Sequence, residues 1–217
     1  SPHADYRAES IACEALHSTF TIDRRQVRLP LPGPGNVENA LAAWAVCDRF
    51  GLTVEAFAEA LRDLSGVSMR AELLHVGTLT VLNDCYNANP ASMKNALVML
   101  HNLRSRDGEG RDRRLVFICG EMAELGSQSE SLHADLGRAV AGAGVDLLVT
   151  VGDPPRTTAR TAREASRHNL QTMSFEDAPR VCGRLQEFVR KDDIILVKGS
   201  RTARLERVVQ ELIKDNG

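Results

Sequence analysis

The 217 residues carry 27 Lys and Arg against 29 Asp and Glu, a formal net charge of −2 that gives no electrostatic reason to expect nucleic acid or an anionic membrane as partner. Hydrophobic residues make up 43% and charged residues 26%, enough to bury a real core, and no run approaches the roughly 20 apolar residues a membrane helix needs. The opening residues show no basic region followed by an apolar stretch, so the expected location is the cytoplasm, and a monomer is expected.

In chain order, Ser10–Ala15, Ser18–Asp23 and Gln26–Leu29 alternate polar and apolar residues and read as short strands. They are expected to lack a sheet of their own and to be the cut edge of a larger structure. A start without an initiator Met points the same way, to a piece of a longer protein. Leu31-Pro32-Gly33-Pro34-Gly35 breaks the pattern. Asn36 is placed to cap an Ala-rich helix over Val37–Phe50, with Leu41, Ala45 and Val46 along one side. Gly51 ends it, and Thr53 caps a second helix through about Leu64. Leu64-Ser65-Gly66-Val67-Ser68 is the expected domain boundary, dividing the chain into 1–68 and 69–217.

Beyond the boundary the grammar changes. Glu72–Val76 and Thr78–Asn83 form a hairpin around Gly77, and Pro90 opens a helix through about Leu103, followed by a charged loop, Arg104–Arg114. Strands are predicted at Leu115–Cys119, Asp146–Val151, Gln171–Ser174 and Asp193–Val197. Helices alternate with them at Glu130–Ala143, Thr157–His168, Glu176–Arg190 and Ala203–Lys214. Continuous apolar runs such as Ile194-Ile195-Leu196-Val197 are the mark of buried parallel strands, so the fold class is α/β, a Rossmann-like doubly wound domain.

Ligands of such sheets gather where strands end. Four loops leave at that edge: Asp84–Pro90, Gly120–Gly126, Gly152–Arg156 and Lys198–Arg201. Each alone reads as turn chemistry; together they favour a site for an anionic or carboxylate-bearing ligand. Asp84, Asn87 and Asn89 read on their own as turn caps, and Glu121 and Glu124 as solvated loop acids. Gly33-Pro34-Gly35-Asn36-Val37-Glu38 fails as a dinucleotide fingerprint because Glu38 stands where a third Gly belongs, which disfavours a nicotinamide-dependent dehydrogenase. No G-x-x-x-x-G-K-[ST] phosphate loop occurs, the six histidines lack metal spacing, and the five scattered cysteines read as reduced thiols.

The ordered set Leu29-Pro30-Leu31-Pro32-Gly33, Asn36–Ala43, Asp84-Cys85-Tyr86-Asn87-Ala88-Asn89-Pro90, Gly120-Glu121-Met122-Ala123-Glu124-Leu125-Gly126 and Lys198-Gly199-Ser200-Arg201 resembles the Mur ligases, nearly end to end. The resemblance implies that 1–68 is the C-terminal part of a central ATPase domain and 69–217 the third, Rossmann-like domain of the family. It implies ATP as cosubstrate, with Asn36 and Asn39 on the adenine, Arg70 on the phosphates and Asp84 on the ribose hydroxyls. The magnesium ligands and phosphate loop would lie outside this chain, which alone is expected to be inactive. No complete catalytic set is present and no metal-binding residue is expected.

The implied chemistry is phosphorylation of a peptide carboxylate to an acyl phosphate, followed by attack of an incoming amine. Tyr86, Asn87, Asn89, Lys198, Ser200 and Arg201 are the implied substrate-side residues. The diaminopimelate-adding branch has Lys-Gly-His-Glu in the fourth loop; Arg201 in place of that acid suits a terminal carboxylate. The resemblance therefore leans to the branch that joins D-Ala-D-Ala to UDP-N-acetylmuramoyl-tripeptide. Gly35 replaces the family's usual His, and Glu121 its usual Asp. Asp153-Pro154-Pro155-Arg156 is similar to the Asp-Asn-Pro-Arg loop of the diaminopimelate branch, so a diaminopimelate- or lysine-adding ligase remains an alternative. A non-catalytic nucleotide- or peptide-binding module is the rival from another class.

Overall fold

The computed structural model describes residues 4–14, 17–64, 68–105, 108 and 110–217. The end of the first predicted strand at Ala15 and the centre of the predicted boundary, Ser65 to Val67, lie outside the described residues. The chain divides into two compact units, Ser1–Gly66 and Val67–Gly217.

In the first unit, β1 (Glu9–Cys13), β2 (Ser18–Ile22) and β3 (Arg25–Leu29) pair antiparallel in the order β1-β2-β3. This corrects the expectation that the strands have no sheet of their own. Asp23 and Arg24, both at positive φ (46° and 67°), close a two-residue hairpin whose twist suits the flanking strands. Alternation then works as it should: Phe20, Ile22, Val27 and Leu29 are buried. Helix α1 (Pro34–Arg49) starts earlier than predicted, with Gly33 at the N-cap and Pro34 in the first turn. Its buried side is Val37, Ala40 and Trp44, whereas Val46, expected inside, is 58% exposed. Trp44 decides this, because its ring packs on Phe57 of α2 (Val54–Arg62), centroids 5.3 Å apart. Thr53 caps α2 as expected, accepting from the Ala56 amide at 3.3 Å.

The second unit contains β4 (Glu72–Val76), β5 (Leu79–Asp84), α3 (Pro90–Asn102), β6 (Leu115–Cys119), α4 (Ser129–Gly142), β7 (Leu147–Val151), α5 (Pro154–Ala165), β8 (Gln171–Phe175), α6 (Ala178–Cys182), α7 (Leu185–Phe188), β9 (Ile194–Lys198) and α8 (Glu206–Asn216). The sheet order is β4-β5-β9-β6-β7-β8, with β4 antiparallel and the rest parallel. Apolar residues from α3, α4 and α5 cover one face, and those from α6, α7 and α8 the other. Every residue of β6, β7 and β9 is buried, which is why their sequences read as unbroken apolar runs. Because β9 returns between β5 and β6, its helix leaves on the opposite face from theirs, an arrangement in which ligands of such sheets sit at the carboxyl ends of the strands.

Two predicted helices differ. Glu176–Arg190 is broken into α6 and α7, with Gly183 as the α6 C-cap and Asp177 as its N-cap. Ala203–Lys214 begins instead with a short 3-10 turn, Arg201–Ala203, and Arg204 at φ 50° redirects the chain before α8. No helix among the described residues is long and apolar enough to cross a membrane.

Helices α4 and α5 meet at Gly137, where a Cβ would lie 2.7 Å from the Thr158 carbonyl oxygen and 2.8 Å from Thr161 Cβ. Gly137→Ala is therefore expected to force the helices apart and cost about 1–3 kcal/mol. Urea unfolding checks this, and an unchanged midpoint would contradict it.

Candidate active site

The second unit enters its sheet through a constrained segment. Met69 and Ala71 both have positive φ (60° and 51°), an unfavourable conformation for residues with a Cβ. It is held by Glu72, whose Oε2 accepts from the Met69 amide at 3.0 Å and from Asn83 Nδ2 at 2.9 Å. Asp84 Oδ1 accepts from the Ala71 amide at 3.1 Å, and the Met69 carbonyl accepts from the Tyr86 amide at 3.1 Å. Arg70, between the two strained residues, thus projects over the Tyr86 ring, 4.1 Å from its centroid.

At the end of β9, Lys198 is 1% exposed, yet its ammonium has good partners. It donates to Asp84 Oδ2 at 2.6 Å and to the Asn87 carbonyl at 2.9 Å, tying the loop after β5 to the strand beside it. Asn87 Oδ1 accepts from the Ala88 amide at 2.8 Å. Asn89 caps α3, accepting from the Ser92 amide at 2.8 Å while Ser92 Oγ accepts from the Asn89 amide at 3.0 Å. The turn-cap reading of both asparagines thus accounts for their carboxamide oxygens. Lys198 is a strut between Asp84 and the Asn87 loop.

The loops after β6 and β9 are pinned together by facing glycines. A Cβ on Gly199 would lie 2.9 Å from Gly120 Cα, and one on Gly120 would lie 2.8 Å from Ala203 Cβ. This close approach lets the Gly120 amide donate to the Lys198 carbonyl at 2.9 Å and the Ser200 amide to the Glu121 carbonyl at 2.8 Å. Ser200 is 2% exposed and its hydroxyl lies 2.7 Å from Thr202 Oγ1, which donates to Glu121 Oε1 at 2.6 Å. Arg201 is exposed, its Nη1 3.8 Å from Met69 Sδ. Among the described residues neither Arg70 nor Arg201 has a carboxylate within salt-bridge distance. The third loop is different. Asp153 and Arg156 pair with each other at 3.2 Å on the exposed start of α5.

The structure therefore gathers Arg70, Asp84, Tyr86, Asn87, Lys198, Ser200 and Arg201 around the ends of β5 and β9, with Asn89 set back at the helix cap. Asn36 and Asn39 belong to the first unit. Asn36 does not cap α1; its Nδ2 donates to the Pro32 carbonyl at 2.7 Å, and Asn39 is exposed. Cys85 and Cys119 flank the site as thiols, both pushed up to about 12 by burial, so neither offers a thiolate nucleophile. Among the described residues no group of three or more His, Cys, Asp or Glu could hold a metal ion.

From sequence His133 reads only as a surface or satisfied histidine; it is fully buried on α4. Thr158 Oγ1 spends its one proton on the His133 carbonyl at 3.0 Å, so His133 Nδ1 must donate to Thr158, 3.0 Å away. Its Nε2 then accepts from the Met122 amide at 3.4 Å and anchors the loop after β6. A buried histidine at this spacing carries no sequence signal beyond its place on the apolar side of the helix.

Two outcomes follow from these contacts. Asp84→Asn would leave the Lys198 ammonium buried without a countercharge, and Lys198→Met would strand the acid; each is expected to cost about 3–5 kcal/mol. Because they share one interaction, the double variant should cost less than the sum, and strict additivity in urea unfolding would contradict the pairing. For His133, burial lowers the pKa below the usual value of about 6.5. The unfolded chain then takes up that proton first, so the stability present above about pH 6.5 is lost as pH falls toward the lowered folded value. His133→Leu should flatten that part of a stability–pH curve, and an unchanged slope would show that the acid sensitivity lies elsewhere.

Comparison with known proteins fits this geometry. A family model described as Mur ligase, glutamate ligase domain, matches residues 69–201. The UDP-N-acetylmuramoyl-tripeptide–D-alanyl-D-alanine ligase of Escherichia coli is 34% identical over the whole chain and 47% of its own length. The Bacillus subtilis enzyme of the same name is 31% identical over 98% of the chain and 46% of its own length. A crystal structure of MurF from Acinetobacter baumannii superposes with a TM-score of 0.81 at 27% identity, over 99% of this chain and 46% of that one. The chain thus spans about half the length of the relatives it matches. With more than half of its residues under the family model and the strand-end loops arranged as that sheet requires, the chain belongs to the Mur ligase family.

Proposed function

We propose that this chain is the C-terminal part of a cytoplasmic, monomeric ATP-dependent ligase that joins D-Ala-D-Ala to UDP-N-acetylmuramoyl-tripeptide, through an acyl phosphate, in the peptidoglycan synthesis on which cell shape and division depend. The observation that carries the choice of substrate is Arg201. It stands exposed at the end of β9 without a carboxylate partner among the described residues, free to take the carboxylate of an incoming dipeptide. The names of the Escherichia coli and Bacillus subtilis relatives support the same choice.

In this reading 1–68 is the tail of the central ATP-binding domain and 69–217 the amine-receiving domain. Asn36 and Asn39 serve the adenine, Arg70 the phosphates and Asp84 the ribose. Asp84 fits that role in part, since a carboxylate has about four acceptor directions and two are taken by Ala71 and Lys198. Arg70, with its guanidinium carbon 4.1 Å from the Tyr86 ring centroid, keeps N–H donors for an anion. Asn36 retains its oxygen and one N–H beyond the Pro32 contact. Magnesium would take its ligands outside the described residues, and the chain alone would not ligate.

The alternative, a diaminopimelate- or lysine-adding ligase, draws on Asp153-Pro154-Pro155-Arg156. That loop's two charged groups neutralise each other, which favours a structural role. Assaying the complete protein for ATP-dependent joining of D-Ala-D-Ala to UDP-N-acetylmuramoyl-tripeptide tests the reading. Product is expected with D-Ala-D-Ala, and Arg201→Met should raise the KM for the dipeptide more than tenfold while leaving that for ATP within about twofold. Product with diaminopimelate alone would overturn the substrate. No product with any amine would favour a non-catalytic binding module.

A further inference from the structure

The hydroxyl chain at the end of β9 has a direction that proton counting fixes. Thr202 has one proton and gives it to Glu121 Oε1 at 2.6 Å. The 2.7 Å contact between Ser200 Oγ and Thr202 Oγ1 must then be a bond that Ser200 donates. The chain runs from Ser200 through Thr202 to the Glu121 carboxylate. Ser200 Oγ is left with lone pairs only, and these are enriched by the charge at the far end. What the trio offers a ligand is the half-buried Glu121 carboxylate and the exposed Thr202 oxygen, with the buried Ser200 hydroxyl orienting Thr202 from behind.

The neighbouring cations do not cancel that charge. Lys198 is spent on Asp84 and the Asn87 carbonyl. Arg201 leans the other way, toward Met69, on the side of β5. Because β9 lies between β5 and β6, the residues that follow it diverge: Arg201 toward the β5 loop, Thr202 toward Glu121 on the β6 loop. The carboxyl end of β9 is thus bipolar, with a guanidinium on one side and an acceptor trio on the other. The facing glycines Gly120 and Gly199 hold the two loops that carry the trio in fixed register.

A bipolar rim of this kind fits a zwitterion. We propose that Glu121 and Thr202, positioned from behind by the buried Ser200 hydroxyl, form the ammonium pole for the incoming amino-acid-type substrate, with Arg201 as its carboxylate pole, so that the amine is presented from the β6 side. The inference deepens the reading of this domain as the amine-receiving one and rests on it. Glu121 is a specificity-determining residue here, and its length matters, since Oε1 reaches Thr202 across the loop from β6.

The test is a titration of the 217-residue chain followed by NMR, using D-Ala-D-Ala, N-acetyl-D-Ala-D-Ala and D-Ala-D-Ala amide as probes. Losing a charge-assisted contact should weaken binding about tenfold. Glu121→Gln is expected to weaken D-Ala-D-Ala by that factor and to leave the N-acetyl probe unchanged, because that probe has no ammonium to lose. Glu121→Asp should recover part of the loss, and Thr202→Val should weaken the free amine while preserving the fold. Arg201→Met should affect D-Ala-D-Ala but not its amide. The proposal fails if Glu121→Gln binds D-Ala-D-Ala as the parent does, if acetylation costs the parent nothing, or if the parent binds none of the probes. Failure of the functional reading shows elsewhere, as absence of D-Ala-D-Ala product in the ligation assay.

Discussion

A lysine ammonium enclosed at 1% exposure is a costly thing to place at the end of a central strand, and the geometry around Lys198 shows what offsets it. Asp84 supplies the countercharge and the Asn87 carbonyl a second acceptor, so the loop after β5 is shaped by a residue 114 positions later. Asp84 in turn holds the Ala71 amide, which fixes the strained entry where Arg70 meets Tyr86. The entry segment, the loop after β5 and the distant end of β9 are therefore linked through one buried ion pair. An apolar pair of similar volume would be as stable or more so. What the ion pair contributes is position, because it sets where the exposed groups on either side of it can stand.

That arrangement separates two kinds of residue at the sheet edge. Lys198, Asn87, Asn89 and the glycines at 120 and 199 spend their hydrogen-bonding capacity or their missing side chains on holding loops. Arg70, Tyr86 and Arg201 are left outward-facing, and Glu121 only partly enclosed. A Rossmann-like edge built this way needs no long loops to make a site. The rigidity comes from backbone pairing that continues past the ends of β6 and β9.

Much of this was legible in the sequence. Unbroken apolar runs gave the buried strands, Pro90 and Thr53 marked helix starts, and the four polar loops fall, as read, at the carboxyl ends of β5, β6, β7 and β9. The first-unit strands were misjudged because a hairpin closed by Asp23 and Arg24 carries no glycine to announce it. The buried side of α1 was misplaced because one aromatic contact, Trp44 on Phe57, outweighs the Ala-rich pattern around it. At the site, residue types revealed chemistry but not allegiance. No one-dimensional reading says that Lys198 is consumed by Asp84 while Arg201 is not. His133 was invisible for a related reason: its partners, Thr158 and Met122, lie on two other elements.

The position of β9 has a consequence for the order in which the molecule comes together. It is the last strand in the chain, yet it fills the slot between β5 and β6, whose nearest residues precede it by more than a hundred and by about seventy-five positions respectively. Until Ile194–Lys198 is in place, those two strands have no direct ladder to each other, and Asp84 waits without its lysine. During synthesis, then, the edge that would meet a ligand is the latest part to close, a non-local step of the kind that slows folding. A chain that lacked its final two dozen residues, from Ile194 onward, would keep most of its helices and yet lose Lys198, Ser200 and Arg201 from the sheet edge.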